Sequence, residues 1–278
     1  MTVASERFGL TAPTTSLQNV PTSNVSSTRG LAGNYPSTMA LIFRRTKYKH
    51  PSAHYWSCWV VILYLASAQT GTLMAESHET VILPKPSTVS EHSLETLLQQ
   101  RRSVRTYQDE TLTLTELGQL LWAAQGTNHP EGLRTAPSAG ALYPLELYVT
   151  AGNVEGLVPA LYHYDSQDHT LRKTVDGDLR KTLARVALKQ SWLADAAAVI
   201  AFTAVYDRTT RKYGQRGIRY VDIEVGHAAQ NLFLQAEALE LGTVVVGAFD
   251  DEKIAHTLRL SEDTKPVILM PVGKRGRY

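Results

Sequence analysis

YVDIEVGHAAQNLFLQAEALEL, Tyr220–Leu241, is the longest stretch of the chain that keeps a helical period. Val225, Ala229, Leu232, Ala236 and Leu239 recur at alternating steps of four and three, which lines them up along one side of a helix. Gly242 follows and reads as the stop. Such a seam buries against an intrachain core or against a twin helix of a second subunit, and spacing leaves both open.

On the C-terminal side, Thr243–Val246 and Val267–Val272 read as strands separated by a helix over Asp250–Leu258. On the N-terminal side, Ala197–Val205 reads as a buried strand, Asp178–Gln190 as a helix, and Leu161–Tyr164 with Thr170–Thr174 as a hairpin around a polar turn. Leu145–Thr150 alternates as a strand does. Thr115 opens a helix with Leu117, Leu120, Leu121 and Ala124 on one face, closed by Gly126. Ser93–Gln100 is a short helix, and ILPKPS (Ile82–Ser87) is an extended lead-in that its prolines keep from being helical. Helices and strands mix without a regular βαβ rhythm. The expected fold is therefore a three-layer α+β domain with a mixed or antiparallel central sheet and a long core or interface helix, not a Rossmann sheet.

The 278 residues, 43% of them hydrophobic, suffice for a real core. A net charge of +2 gives no overall positive field for a nucleic-acid backbone, so nucleic acid is not an expected partner. Cys58 is the one cysteine, which excludes an internal disulfide and any metal site built on two thiolates of one chain. No Asp or Glu lies between Phe8 and Ala75, although Arg29, Arg44, Arg45, Lys47 and Lys49 do. Residues 1–55 therefore read as a disordered basic extension, with Met39 an alternative start. Residues 56–75 read as a signal peptide or membrane anchor, and 76–278 as the folded domain. The apolar run Trp56–Ala68 is short of the roughly 20 residues a spanning helix needs, and Ala66-Ser67-Ala68 offers a cleavage site. Export is the expected localisation, with transient or anchored membrane contact as the variant and a cytoplasmic location if the segment is not functional.

Hydrolase, zincin, P-loop and dinucleotide-binding signatures are missing from the sequence. What remains is basic and glycine-rich. RRSVR places Arg101, Arg102 and Arg105 around Ser103 at the end of a helix, a set able to hold a phosphate or carboxylate or simply to solvate a surface. PSAGALYP (Pro137–Pro144) has small residues where backbone can approach a flat ligand. VGAF (Val246–Phe249) leaves free N–H groups between strand and helix, and GKRGR (Gly273–Arg277) comes directly off the last strand.

RRSVR, then PSAGALYPLELYV, KYGQRGIRYVDIEVGHAAQNL, VVVGAF and PVGKRGR in that order resemble the SagB-type branch of the nitroreductase family, over about Ile82–Tyr278. The resemblance implies FMN as cofactor, usually at the interface of a homodimer, NAD(P)H as an electron donor and a small-molecule or peptide substrate. It implies that Arg101, Arg102, Ser103 and Arg105 hold the FMN phosphate and ribityl chain, with Lys274 and Arg275 closing on the phosphate. Ser138, Ala139 and Gly140 would lie along the flavin, and Gly247 and Ala248 would face its edge. In the azoline dehydrogenases of this branch a Lys-Tyr pair is associated with activity, and Lys212-Tyr213 matches it. Removing hydride from one carbon requires a base for the proton on its neighbour, and a lysine beside Arg211 or Arg216 suits that task. The stretch RTTRKYGQR also reads as a solvated basic loop. Three activities follow as expectations: an azoline-type dehydrogenase, an NAD(P)H-dependent nitro or quinone reductase, and a non-catalytic flavin- or peptide-binding subunit.

Overall fold

The computed structural model describes residues 79–276. The expected disordered extension, the apolar run with its cleavage site, and Arg277 lie outside them. Seven strands form one sheet: β1 (Thr80–Ile82), β2 (Leu145–Ala151), β3 (Ala160–Asp165), β4 (Thr170–Asp176), β5 (Ala198–Ala204), β6 (Leu241–Thr243) and β7 (Lys265–Lys274). Their spatial order is β1-β4-β3-β2-β5-β7-β6, and every neighbouring pair is antiparallel. The helices are α1 (Leu94–Gln100), α2 (Leu114–Gln125), α3 (Arg180–Val186), α4 (Asp207–Tyr213), α5 (Arg216–Ala238) and α6 (Asp251–Thr257).

Strand β5 shows why there are three layers. Its seven residues are all buried, and because successive side chains point to opposite faces, each face needs its own cover. Ile200 and Phe202 join Leu117, Leu120 and Leu121 of α2 and Val221, Val225 and Leu232 of α5. Val199 and Ala201 face the other way, into Leu183 of α3, Ile254 of α6 and Leu193.

Local chemistry sets the helix ends. Thr113 accepts the Glu116 N–H while the Glu116 carboxylate accepts the Thr113 N–H, a capping box that starts α2 at Leu114, one residue before the expected start. Helix α5 begins a turn earlier than the apolar period indicates and ends at Ala238. Its left-handed terminal position is Glu240 (φ 57°), not Gly242, which lies inside β6. Gly242 is small for a different reason: a Cβ there would sit 2.6 Å from Cγ1 of Val104. The following strand accordingly spans Leu241–Thr243 rather than Thr243–Val246, and α3 is shorter than Asp178–Gln190. RTTRKY is helical, forming most of α4.

The lead-in is extended, and it is pinned to the β3–β4 turn. Leu83 N–H donates to the His169 carbonyl, and the His169 ring lies between the Tyr164 hydroxyl at Nδ1 and the Pro84 carbonyl at Nε2. Burial holds this imidazole below its ordinary pKa, as suits a neutral ring whose Nε2–H donates to Pro84. Among the described residues no helix is long and apolar enough to cross a membrane. Phe202 is fully buried between β2 and β7, so Phe202→Ala is expected to cost about 3–5 kcal/mol, read as a lowered urea midpoint with an unchanged slope.

Candidate active site

The loop 137–143 carries three residues in the left-handed region: Gly140 (φ 66°), Ala141 (φ 53°) and Tyr143 (φ 45°). For the two non-glycines this conformation costs of order 1–2 kcal/mol each and persists only where the surroundings fix it. Tyr143 is fixed on every side. Its N–H donates to Ser138 Oγ (2.9 Å), its carbonyl accepts from Arg208 Nη1 (3.0 Å), and its ring lies 4.8 Å beneath the Arg134 guanidinium. Arg208 is itself held by Glu146 (2.6 Å), whose other carboxylate oxygen bonds His163 (2.8 Å). Burial works to raise the Glu146 pKa, but His163 and Arg208 outweigh it and keep this carboxyl below the usual range.

Helix α4 delivers Lys212 and Tyr213 to the same loop. A Cβ added to Gly140 would meet the Tyr213 hydroxyl at 2.7 Å and Lys212 Nζ at 2.9 Å, so the two side-chain tips close over the one residue with no side chain. Lys212 Nζ lies 5.4 Å from the Tyr213 ring centroid, and the Tyr213 ring meets Tyr220 of α5 edge-on at 5.2 Å. Arg211 is drawn away to Asp207 (3.9 Å).

Sequence reading missed Glu224, which lies on α5 against this loop. It is 2% exposed, its Oε1 has no hydrogen-bond partner among the described residues, and its carboxyl interacts with the Ser138 side chain and the Arg134 charge. Burial is the larger influence and pushes its pKa up to about 7. The signal was present: an acidic residue inside the apolar side of a helix, between Val221 and Ala228. Arg134, Tyr143, Glu146, His163 and Arg208 were missed as well, because no spacing rule joins them.

The second cluster lies toward the other end of α5. Arg101 caps α1 and sits 4.9 Å over the Phe233 ring, Arg102 folds back onto the Gln99 carbonyl (2.8 Å), and Arg105 lies 5.7 Å from the Trp192 ring. None of these arginines makes an ion pair among the described residues, and Ser103 is exposed. The tail joins this cluster: Val104 N–H donates to Thr243, Gln108 N–H to Lys274 (3.0 Å) and Gly276 N–H to Thr106 (2.9 Å). The Lys274 and Arg275 side chains are already committed, however, to Glu116 and Glu237. Both line a cavity of about 480 Å³ with Gln100, Gln108 and Glu237. Gly247 and Ala248 are exposed; a Cβ at Gly247 meets nothing, and the Ala248 carbonyl accepts from Gln190.

The structure therefore brings together Ser138, Gly140, Lys212 and Tyr213 at one place, and Arg101, Arg105, Lys274 and Arg275 with β6 at another. Tyr220 and Phe233 mark the two places on α5, about 20 Å apart along an axis rising 1.5 Å per residue.

The model of the nitroreductase family matches residues 98–274. The chain belongs to this family. It is similar to a Methanocaldococcus jannaschii protein named as a nitroreductase, 47% identical over 67% of this chain and 93% of that protein. It is similar at 25% identity to the microcin B17-processing protein McbC of Escherichia coli, over 58% of this chain and 62% of that one. A crystal structure of a nitroreductase-family protein from Ralstonia eutropha superposes with a TM-score of 0.64 at 28% identity, over 73% of this chain and 92% of that one. Family members typically bind FMN and act as oxidoreductases.

The residues present fit such a group. Among the described residues the guanidinium groups of Arg101, Arg102 and Arg105 pair with no carboxylate, and Gly247 leaves backbone open, since a Cβ there would meet nothing. Gly140→Ala is expected to lower stability by about 1–2 kcal/mol through its left-handed backbone and to displace the Lys212 and Tyr213 tips. A thermal melt reads the first effect and the tyrosine ring resonances read the second; unchanged resonances would contradict the packing described.

Proposed function

We propose that the protein is an FMN-dependent oxidoreductase of the SagB type that dehydrogenates an azoline-like ring. The single observation that carries the reading is the convergence of the Lys212 and Tyr213 tips on Gly140 in a loop under backbone strain. Similarity to a protein named for microcin processing supports the branch. When bound, FMN supplies the hydride acceptor, N5 of its tricyclic ring. Arg101, Arg102 and Arg105 would hold the phosphate, their charge uncancelled by any carboxylate among the described residues, while Ser103 adds a hydroxyl donor. Lys274 and Arg275, paired with Glu116 and Glu237, would border the same cluster and hold the tail against it. The Lys212 amine takes the proton from the carbon next to the one losing hydride, and the Tyr213 hydroxyl orients it.

A homodimer belongs to the same reading. One chain holds its base pair and its arginines about 20 Å apart along α5, whereas a second copy running antiparallel would bring the base pair of one to the arginines of the other. Ile218 and Ile223 on the outer side of α5, 41% and 48% exposed, and Leu94 and Leu98 on α1 supply apolar surface for that contact. The basic, apolar and small-residue order of residues 43–68 supports delivery out of the cytoplasm.

A second reading, NAD(P)H-dependent reduction of nitro or quinone compounds, is favoured by the 47% identity to the Methanocaldococcus jannaschii protein. Such a reaction requires no carbon base, so the two readings part at Lys212. Full-length protein purified with FMN is expected to be yellow, and Arg101→Ala to lose most of the flavin. Lys212→Ala is expected to keep the flavin and lose roughly 100-fold or more in azoline dehydrogenation. Colourless protein would overturn the cofactor assignment. Azoline turnover unaffected by Lys212→Ala, or nitro reduction with no azoline turnover, would overturn the base assignment and leave the second reading.

A further inference from the structure

Neither the Lys212 amine nor the Tyr213 hydroxyl makes a hydrogen bond among the described residues, yet both tips meet at Gly140. Their place is therefore set by helix α4 and by whatever ties that helix to the loop 137–143. Among the described residues, the α4 side chain that hydrogen-bonds this loop is Arg208. Its Nη1 donates to the Tyr143 carbonyl (3.0 Å), and its Nη2 meets Glu146 Oε1 at 2.6 Å. The two acceptors flank Pro144, where the loop runs into β2, so one planar guanidinium spans the junction. Arg208 and Lys212 stand four residues apart on α4 and share a side of it. The first turn of the helix thus grips Tyr143 while the last lays its tips on Gly140.

Both acceptors are held in place. Tyr143 is left-handed (φ 45°), and that conformation aims its carbonyl; Ser138 accepts its N–H and Arg134 covers its ring, but neither contact reaches α4. The second oxygen of Glu146 is bonded by His163 (2.8 Å), whose ring packs against Tyr148 at 5.0 Å. The seat of α4 on α5 is independent of Arg208. The Tyr206 hydroxyl donates to Asp222 of α5 (2.8 Å), and Gly217 of α5 lies so close to Thr210 that a Cβ there would meet its Cα at 2.9 Å. The Arg208 side chain is 40% exposed, so its ion pair adds little to stability. Its fork supplies direction instead.

We propose that Arg208, anchored by Glu146, is a positioning residue that aligns the Lys212-Tyr213 pair with Gly140. The inference rests on the assignment of that pair made above and adds to it the group that sets its register against the loop. A nuclear Overhauser cross-peak between the Gly140 α-protons and the Tyr213 ring reads the alignment in the full chain without flavin, since a Cβ at Gly140 would lie 3.6 Å from Tyr213 Cε2. A second cross-peak, between the Tyr213 and Tyr220 rings, reads the seat of α4 on α5. In Arg208→Ala the first is expected to vanish and the second to remain. Arg208→Lys keeps the charge and the stem but not the fork, and is expected to do the same. In the flavin-loaded enzyme Arg208→Ala is expected to keep its flavin and its KM and to lose roughly 10- to 100-fold in kcat for azoline dehydrogenation, with partial rescue by added guanidinium and none by urea. A Gly140–Tyr213 cross-peak of native strength in Arg208→Ala overturns the proposal. Loss of both cross-peaks overturns it too, because Arg208 would then belong to the general packing of α4. If Arg208→Ala does not fold, the same two cross-peaks in Arg208→Lys decide. Because they are read without flavin or substrate, these results are distinct from colourless protein or absent azoline turnover, which count against the proposed activity instead.

Discussion

Helix α5 is seated on the antiparallel sheet through Val221, Val225, Ala228, Leu232 and Ala236, and several of the candidate groups are tied to that helix rather than to the sheet it covers. Tyr220 receives Tyr213, Glu224 faces Ser138, Asn231 donates to the Thr135 carbonyl, Phe233 lies under Arg101 and Glu237 pairs with Arg275. Burial of the apolar side fixes the helix rotation, and rotation fixes which side chains meet which loops. A helix turned by one residue would present Ile223 where Glu224 now stands. The chemistry is thus set by a packing constraint that has no polar content of its own.

Electrostatics then sorts the cations into two kinds. Lys274, Arg275 and Arg208 are each neutralised by a partly buried carboxylate, so their role within one chain is to hold strands and loops in register. Arg101 and Arg105 lie on the Phe233 and Trp192 rings and Arg102 donates to the Gln99 carbonyl, and among the described residues none of the three pairs with a carboxylate. In a cluster of guanidinium groups without a carboxylate partner, a bound anion would relieve the mutual repulsion.

Much of this was legible in the residue order. The α2 and β2–β4 segments carry clean periodicity and turn residues, whereas the meeting of Lys212 and Tyr213 with Gly140 is a product of tertiary packing. Helix α4 was not legible as a helix, because Thr209 is its one buried residue and no apolar period exists to find. Gly242 misled because a glycine needed for close approach to Val104 looks, in sequence, like one that ends a helix. The partners of Lys274 and Arg275 lie 158 and 38 residues away, beyond any local rule. Glu224 was readable as an anomaly in an apolar stripe but not as a neighbour of Ser138, since that contact depends on tertiary packing.

Strand β7 follows every other described element in the chain and yet lies inside the sheet, between β5 and β6. Until it inserts, β5 has one row of backbone donors and acceptors unpaired and β6 has no partner in the sheet at all. Those pairings are distant in sequence, so closing the sheet is a late, entropically slow event in which an apolar edge stays open to misassociation. The arginine cluster inherits this delay, because the residues that pin its loop from the other side arrive on the same strand.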